Sequence, residues 1–353
     1  MADTQFKVSD QKTAKAQTAA AIFPESMRAS QDEVEAIEKS YWKRTLRDVL
    51  KDWRLYVMLL PLVFFLVCWK YFPIASMVVS FKYFKSDSSF GGGVFTSLWT
   101  GFDSLNTLFS SSDFWTAFRN TFILSFYGLI FGFPFPIILA LFFSEIKNKV
   151  FLSISQVFTY LPKFISLVVI TSLIGMLLTS ANQYQAAGPI GWIFQNWFGQ
   201  TNLLDDPNAF RSIYIISGIW ETAGYSSIVY FAAILGISPT NYEAARIDGA
   251  SKMQQIRYVT FPGMAPTLII MLILRLGELL SIGFEKVYLL QQQGTVGANW
   301  ETSQTIATFV INKYMASNQG LGASADLFNS LLSMVLVLGS NQIARKVSKT
   351  SLF

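Results

Sequence analysis

Four ionisable residues sit inside long apolar runs of this sequence: Glu221, Arg275, Glu278 and Glu285. A charge in such a run is expensive unless it faces a partner, the protein interior or a water-filled cavity, so each is a candidate for function. Glu278 follows Arg275 by three residues, the spacing of an ion pair on one helical face. A structural pair and a contact to a solute are both open there, and Glu285 with Lys286 also reads as lying near a membrane interface. Trp220 and Tyr225 place aromatic rings one and four residues from Glu221. Carboxylate chemistry between Glu221 and Glu278 is formally open. Most other catalysis is excluded. The 353-residue chain has no histidine and one cysteine, Cys68, so it builds no Cys/His metal centre, no Ser-His-Asp or Cys-His relay and no internal disulfide. No glycine is followed by lysine, which removes the phosphate-cradling G-x-x-x-x-G-K-[ST] loop. If ATP drives this chain, another subunit binds it.

The elements that must position these residues are membrane helices. The chain is 52% hydrophobic and 16% aromatic but only 14% charged, against about 25% in soluble domains, and its mean hydropathy is +0.39. In hydrocarbon each backbone polar group must be satisfied within its own segment, so a span needs about 20 mostly apolar residues in a helix. Six segments qualify: 56–81, interrupted by Lys70; 119–144, with kinks expected at Pro134 and Pro136; one within 155–179; one within 212–236 around Glu221; 264–290, the least apolar; and 327–344. The expected fold is all-α and polytopic. No internal repeat supports an inverted-repeat architecture.

Basic residues next to the spans set the orientation, because they stay in the cytoplasm. Lys39 to Arg54, then Lys147, Lys149 and Lys163, then Arg246, Lys252 and Arg257, then Arg345, Lys346 and Lys349 all fall on one side. Only Lys82, Lys85, Arg119, Arg211 and Lys313 fall on the other, about one third as many. Both termini are therefore expected in the cytoplasm, and the basic pI near 9.1 needs no nucleic acid to explain it. Residues 1–38 read as a disordered polar tail with no signal peptide. Over 39–55, Trp42, Leu46, Val49, Leu50 and Trp53 fall on one helical face opposite Lys43, Arg44, Arg47 and Lys51, an amphipathic helix expected to lie on the inner surface. An uninterrupted extension of the first span is the alternative. The outer loop near 180–211 carries Trp192, Phe194, Trp197 and Phe198 beside Gly188-Pro189 and Gly191, as an interfacial aromatic belt or a docking surface.

The loop between the fourth and fifth segments, 238–262, has strong helix punctuation. Ser238 stands at an N-cap, Pro239 at the first helical position, and Gly249 where a left-handed residue would end the helix. Ser251 then caps a second short helix running toward Tyr258 and stopping before Pro262. Two helices joined at a glycine make a rigid knob. Small Ala244 and Ala245 admit a close partner, while Glu243, Arg246 and Asp248 offer charge at the rim. An ordinary interfacial loop helix would share some of these features.

Glu243-Ala244-Ala245, three residues, Gly249, nine residues, then Val259-Thr260-Phe261-Pro262 resembles the EAA motif of permease subunits of bacterial ABC importers, with Val259 and Phe261 as conservative departures. Trp69-Lys70-Tyr71-Phe72-Pro73, Phe114 to Thr121, Phe131 to Leu141, Tyr160 to Ser166 and Gly283 to Leu290 look like the LplB-type permeases of the carbohydrate-uptake group related to maltose permeases, from roughly residue 50 onward. The resemblance implies a six-helix type I importer domain over 56–353 in the bacterial cell membrane. It implies as partners two ATPase subunits holding ATP and Mg, a second permease, an extracytoplasmic substrate-binding lipoprotein, the bilayer and a carbohydrate. No cofactor on this chain is implied. Glu243, Ala244, Ala245, Arg246, Asp248 and Gly249 would form the coupling helix that docks on the ATPase. For a sugar path, aromatic platforms beside hydrogen-bonding groups are needed, and Trp220, Glu221, Tyr225 and Glu278 are the candidates. A non-sugar solute such as a peptide, a proton-coupled carrier and a membrane-embedded carboxylate enzyme are the alternatives.

Overall fold

The computed structural model describes residues 51–71, 74, 76–84, 93–181, 186–199, 202–280, 282–295, 297–316 and 318–347. The expected tail over 1–38 and most of the amphipathic helix over 39–55 lie outside the described residues. Two compact units are present, Met1–Ala75 and Ser76–Phe353.

The first unit holds α1, Trp53–Leu66, continued by a π-helical turn Val67–Tyr71. Together they are long and apolar enough to cross a membrane. The helix is described continuously to Tyr71, and Ser76–Phe81 is a 3-10 helix in the second unit.

In the second unit a two-residue ribbon pairs β1, Lys82–Tyr83, antiparallel with β2, Leu98–Trp99. After α2, Asp103–Ser110, the helices α3, Ser112–Gly132, and α4, Pro134–Glu145, form one 34-residue run. The interruption expected from Pro134 and Pro136 is confined to Phe133, because Pro134 occupies the first position of α4, where an N–H would have no partner anyway.

The third segment, expected as a span within 155–179, is sharply bent. Helices α5, Lys149–Tyr160, and α6, Leu167–Leu178, meet at 99° across a 3-10 turn, Leu161–Phe164. Pro162 is the second residue of that turn, and Ile165 and Ser166 leave it with extended backbone, ψ 138° and 139°, which redirects the chain. Lys163 lies inside that bend.

Helix α7, Pro189–Phe198, packs on α6, with Gly188 and Gly191 against the backbone carbonyls of Met176 and Thr179, leaving no room for a side chain at either glycine. Helix α8, Pro207–Leu235, begins earlier than residue 212, capped by Asp206, whose carboxylate accepts from the Asn208 N–H, with Pro207 at the first position. It then bends by 68° into α9, Pro239–Ile247.

Helix α10, Lys252–Gln255, a π turn Ile256–Thr260 and α11, Phe261–Gly277, run on as one 26-residue membrane-length helix. The expected stop before Pro262 is thus absent. The Phe261 N–H bonds back to the Ile256 carbonyl, five residues away, and that π geometry admits the proline. Helix α11 ends at Gly277, not at residue 290; residues 278–280 form a turn, and α12, Phe284–Gln291, is a separate helix, so Glu285 and Lys286 belong to a different helix from Arg275. Helices α13, Trp300–Ser303, and α14, Ile306–Met315, precede α15, Gln319–Val347, whose membrane-length stretch 319–342 starts eight residues before the expected 327.

Three clusters form the core. Leu124, Ile170, Ile174, Phe210, Val287 and Leu290 join α3, α6, α8 and α12. Leu108, Phe114, Ile306, Phe309 and Leu321 join α2, α3, α14 and α15, and Ile137, Ala140, Tyr230, Ile234 and Met264 join α4, α8 and α11. Outside these clusters, Phe142, Phe158 and Met176 are exposed apolar side chains, as a lipid-facing surface requires.

Candidate functional site

Glu221 stands midway along α8, where its carboxylate reaches two lysines from different elements. Lys286 Nζ on α12 donates to Oε2 at 3.1 Å, and Lys163 Nζ at the α5–α6 bend donates to Oε1 at 3.4 Å. Glu221 and Lys286 are 14% and 11% exposed, so this pair is largely desolvated, whereas Lys163 keeps 41% of its side chain in the open. Lys286 also lies 5.4 Å over the Tyr214 ring, a cation–π contact from the preceding turns of α8. Gly218, one turn before Glu221, leaves room for the lysine: a β-carbon there would stand 3.4 Å from Lys286 Nζ.

A cavity of about 450 Å³ opens beside this cluster between α3, α8, α11 and α12. Arg275 and Glu278 line it with Glu221 and Lys286, and Gly128, Gly132 and Gly218 keep its walls thin. Arg275 and Glu278 meet at 3.9 Å and are both half exposed or more, so the expected pair forms, loosely. A volume in the range of small-molecule sites with a few convergent charges is suited to holding a polar solute. Glu285 is exposed and does not line the cavity.

The aromatics that sequence spacing put beside Glu221 are distributed differently. Trp220 lines two apolar grooves on other flanks of α8, with Phe131 and Phe135 in one and Ile190 and Phe194 in the other. Tyr225 is exposed and packs edge-to-face on Phe164 of the bend at 5.9 Å. One residue along a helix rotates the side chain by about 100°, so Trp220 and Glu221 face different surfaces. Lys163 and Lys286 are the members of this cluster that spacing missed; each pairs with Glu221 across more than fifty residues, and no local signal carries that.

The second feature is the α9–α10 elbow. Ser238 occupies the N-cap position without a side-chain cap bond, so the start of α9 rests on Pro239. Its end is a Schellman turn: Ala250 N–H donates to the Ala245 carbonyl at 2.9 Å, Gly249 N–H to Arg246 at 3.1 Å, and Gly249 has φ +76°. Ser251 and Gln254 then form a reciprocal capping box. Tyr242 Oη and Thr260 Oγ1 are hydrogen bonded at 3.0 Å, and Lys252 pairs with Glu145 of α4 at 2.6 Å. Glu243, Ala244, Arg246, Asp248 and Gly249 are exposed, Ala245 is half-buried, and Ile247 projects an apolar tip that is 86% exposed. Nothing lies within 4 Å of a β-carbon at Gly249, so Gly249→Ala is expected to strain only the turn, destabilising it by about 1 kcal/mol. Hydrogen exchange at Gly249 and Ala250 should quicken while the spans stay protected.

A family model described as "Binding-protein-dependent transport system inner membrane component" matches residues 132–349. The chain belongs to this family. The permease is 32% identical to Protein LplB of Bacillus subtilis (strain 168) over 316 residues, covering 88% of this chain and 94% of that protein. It is 31% identical to the polygalacturonan/rhamnogalacturonan transport system permease protein YteP of the same organism, over 90% of this chain and 95% of YteP. A chain of a bacterial ABC transporter involved in import of the acidic polysaccharide alginate matches this permease with TM-score 0.76 and 36% identity, over 86% of this chain and 99% of that one. The alginate transporter has also been seen in complex with an alginate pentasaccharide-bound periplasmic protein, and the permease matches that form equally, with TM-score 0.76. It is an ABC importer permease, a multi-pass membrane subunit and not an enzyme.

Proposed function

We propose that this permease forms one wall of an ATP-driven import path for oligosaccharides, and that the α9–α10 elbow is its coupling element. The elbow carries the reading: an exposed, doubly capped knob with Glu243, Arg246, Ile247 and Asp248 at its surface, tied to the membrane-length helix α11. The sugar assignment draws on relatives whose names state polygalacturonan/rhamnogalacturonan or alginate transport. On this reading the elbow and both termini are cytoplasmic. Two ATPase subunits bind ATP and Mg and grip the elbow, a second permease closes the path, and an extracytoplasmic protein delivers the glycan. The charge-lined cavity at Glu221, Arg275, Glu278 and Lys286 lies on the path, and alternating access is a two-state equilibrium biased by ATP on one side and loaded delivery protein on the other.

Deleting 243–249 tests this. The variant is expected to reach the membrane and lose copurification with the ATPase; retained copurification excludes the elbow as the coupling element. In nanodiscs holding the intact complex, glycan-loaded delivery protein is expected to raise ATP hydrolysis, and a response to peptides but to no glycan would exclude the sugar assignment.

A further inference from the structure

Helix α15 is long and apolar enough to cross a membrane over 319–342, yet one of its faces is polar. Asp326, Asn329, Ser330 and Ser333 follow at i, i+3, i+4 and i+7, which sets them on a single stripe. Asp326 and Ser330 are exposed. Leu331, turned from Ser330 by about 100°, is exposed too and begins a separate apolar face with Val335 and Leu338. Contact with lipid accounts for the apolar face and not for the polar one, because a carboxylate in a membrane helix has to meet the protein interior or a water-filled cavity. The polar face does border a cavity, of about 600 Å³. The stripe makes one wall. Ile306 and Val310 of α14 and Phe284 of α12 belong to the apolar remainder, the Phe284 ring stacked on Tyr288 at 4.7 Å. Asp326 pairs with no cation among the described residues, and Asn329 Oδ1 and Ser333 Oγ are buried without a partner, so the chain does not satisfy this stripe from within. Asn329 instead donates through Nδ2 to the Leu280 carbonyl at 3.3 Å, which ties α15 to the wall residue Leu280. Ile282 lines both this cavity and the one beside Glu221, so the two adjoin there.

We infer that this cavity is a second solute subsite on the import path, where the Asp326 carboxylate and the Ser330 hydroxyl take hydroxyl groups of a sugar ring while Phe284 and α14 meet its apolar face. This deepens the oligosaccharide reading above and rests on it. An ionised carboxylate is an acceptor with two oxygens, so it can take both hydroxyls of a vicinal diol, and a serine both gives and takes. A sugar carries hydroxyls on its rim and C–H groups on its face, and a cavity with one polar and one apolar wall matches that division. Because the two cavities adjoin at Ile282, neighbouring units of one oligosaccharide occupy them together.

The experiment uses the full complex in nanodiscs, with the one cysteine of this chain removed as Cys68→Ser. Ser330→Cys and Leu331→Cys then place a thiol at nearly the same depth on the two faces. Ser330→Cys is expected to react with a charged methanethiosulfonate reagent, and Leu331→Cys at least about tenfold more slowly, since a thiol in apolar surroundings stays protonated. In complexes held with ATP by a hydrolysis-deficient ATPase, delivery protein loaded with an oligosaccharide should slow the Ser330→Cys reaction at least about threefold against unloaded delivery protein. Adding Asp326→Leu is expected to abolish that protection while ATPase copurification persists; Asp326→Asn, whose amide oxygen still accepts one hydroxyl, should keep part of it and serves if the leucine variant assembles poorly. Equal, slow modification at both positions would overturn the subsite, because protein or lipid then covers the stripe. Fast modification of Ser330→Cys without glycan protection, or protection unmoved by both Asp326 variants, would also overturn it and leave sugar import standing. Protection by a non-glycan solute and by no glycan overturns the carbohydrate reading and this one with it.

Discussion

Gly224→Leu is expected to leave little folded permease in the membrane, and Gly224→Ala to be severely destabilised. At Gly224 the backbones of α5 and α8 touch: a β-carbon would overlap the carbonyl oxygen and carbon of Thr159, which belong to the main chain and cannot rotate away. The Thr159 hydroxyl is itself tied to the Ser155 carbonyl, holding that turn in place. Overpacking a core by a methylene typically costs about 1–3 kcal/mol when side chains yield; separating two helices costs more. Gly132→Ala is the matched control, since nothing lies within 4 Å of its β-carbon and alanine favours the helix by roughly 1 kcal/mol. Thermal unfolding followed by size-exclusion in detergent checks both. A wild-type midpoint for Gly224→Ala would mean the two helices are not in backbone contact.

Glu221→Leu is expected to destabilise the bundle by about 3 kcal/mol or more, because it strands the Lys286 ammonium in a largely desolvated position. Lys163 has an exit to solvent and contributes little to that loss. Adding Lys286→Met to Glu221→Leu should recover much of the stability, since an apolar pair needs no compensating charge. The double-mutant cycle on thermal midpoints measures the coupling directly. If the double variant is no more stable than Glu221→Leu alone, the pair is not the element that holds α8 and α12 together here.

What could be read from the chain and what could not divides by the range of the interactions. The elbow was legible because Pro239, Gly249 and Ser251 act on their own few neighbours, and the structure shows the left-handed glycine and the capping box where those residues stand. Apolar runs located the membrane helices, but boundaries slipped wherever composition carried no signal. Ile165 and Ser166 turn the chain by 99° although both are ordinary residues in an apolar run, and the turn after Gly277 is short and mostly apolar. The cavity was half legible. Arg275 and Glu278 announced themselves by spacing, and Glu221 by its burial in an apolar stretch. The lysines that complete the cluster were hidden, one counted as a loop charge and the other assigned to the fifth span, because their partner lies 58 and 65 residues away.

The hydroxyl contact between Tyr242 and Thr260 has a mechanical consequence. It clamps α9 to the base of α11 from the side, and the Lys252–Glu145 bridge anchors the same corner to the foot of α4. A force applied at the Ile247 tip is therefore not absorbed by a swinging hinge. It arrives as torque at two helices at once, so a small stroke of the knob tilts them together.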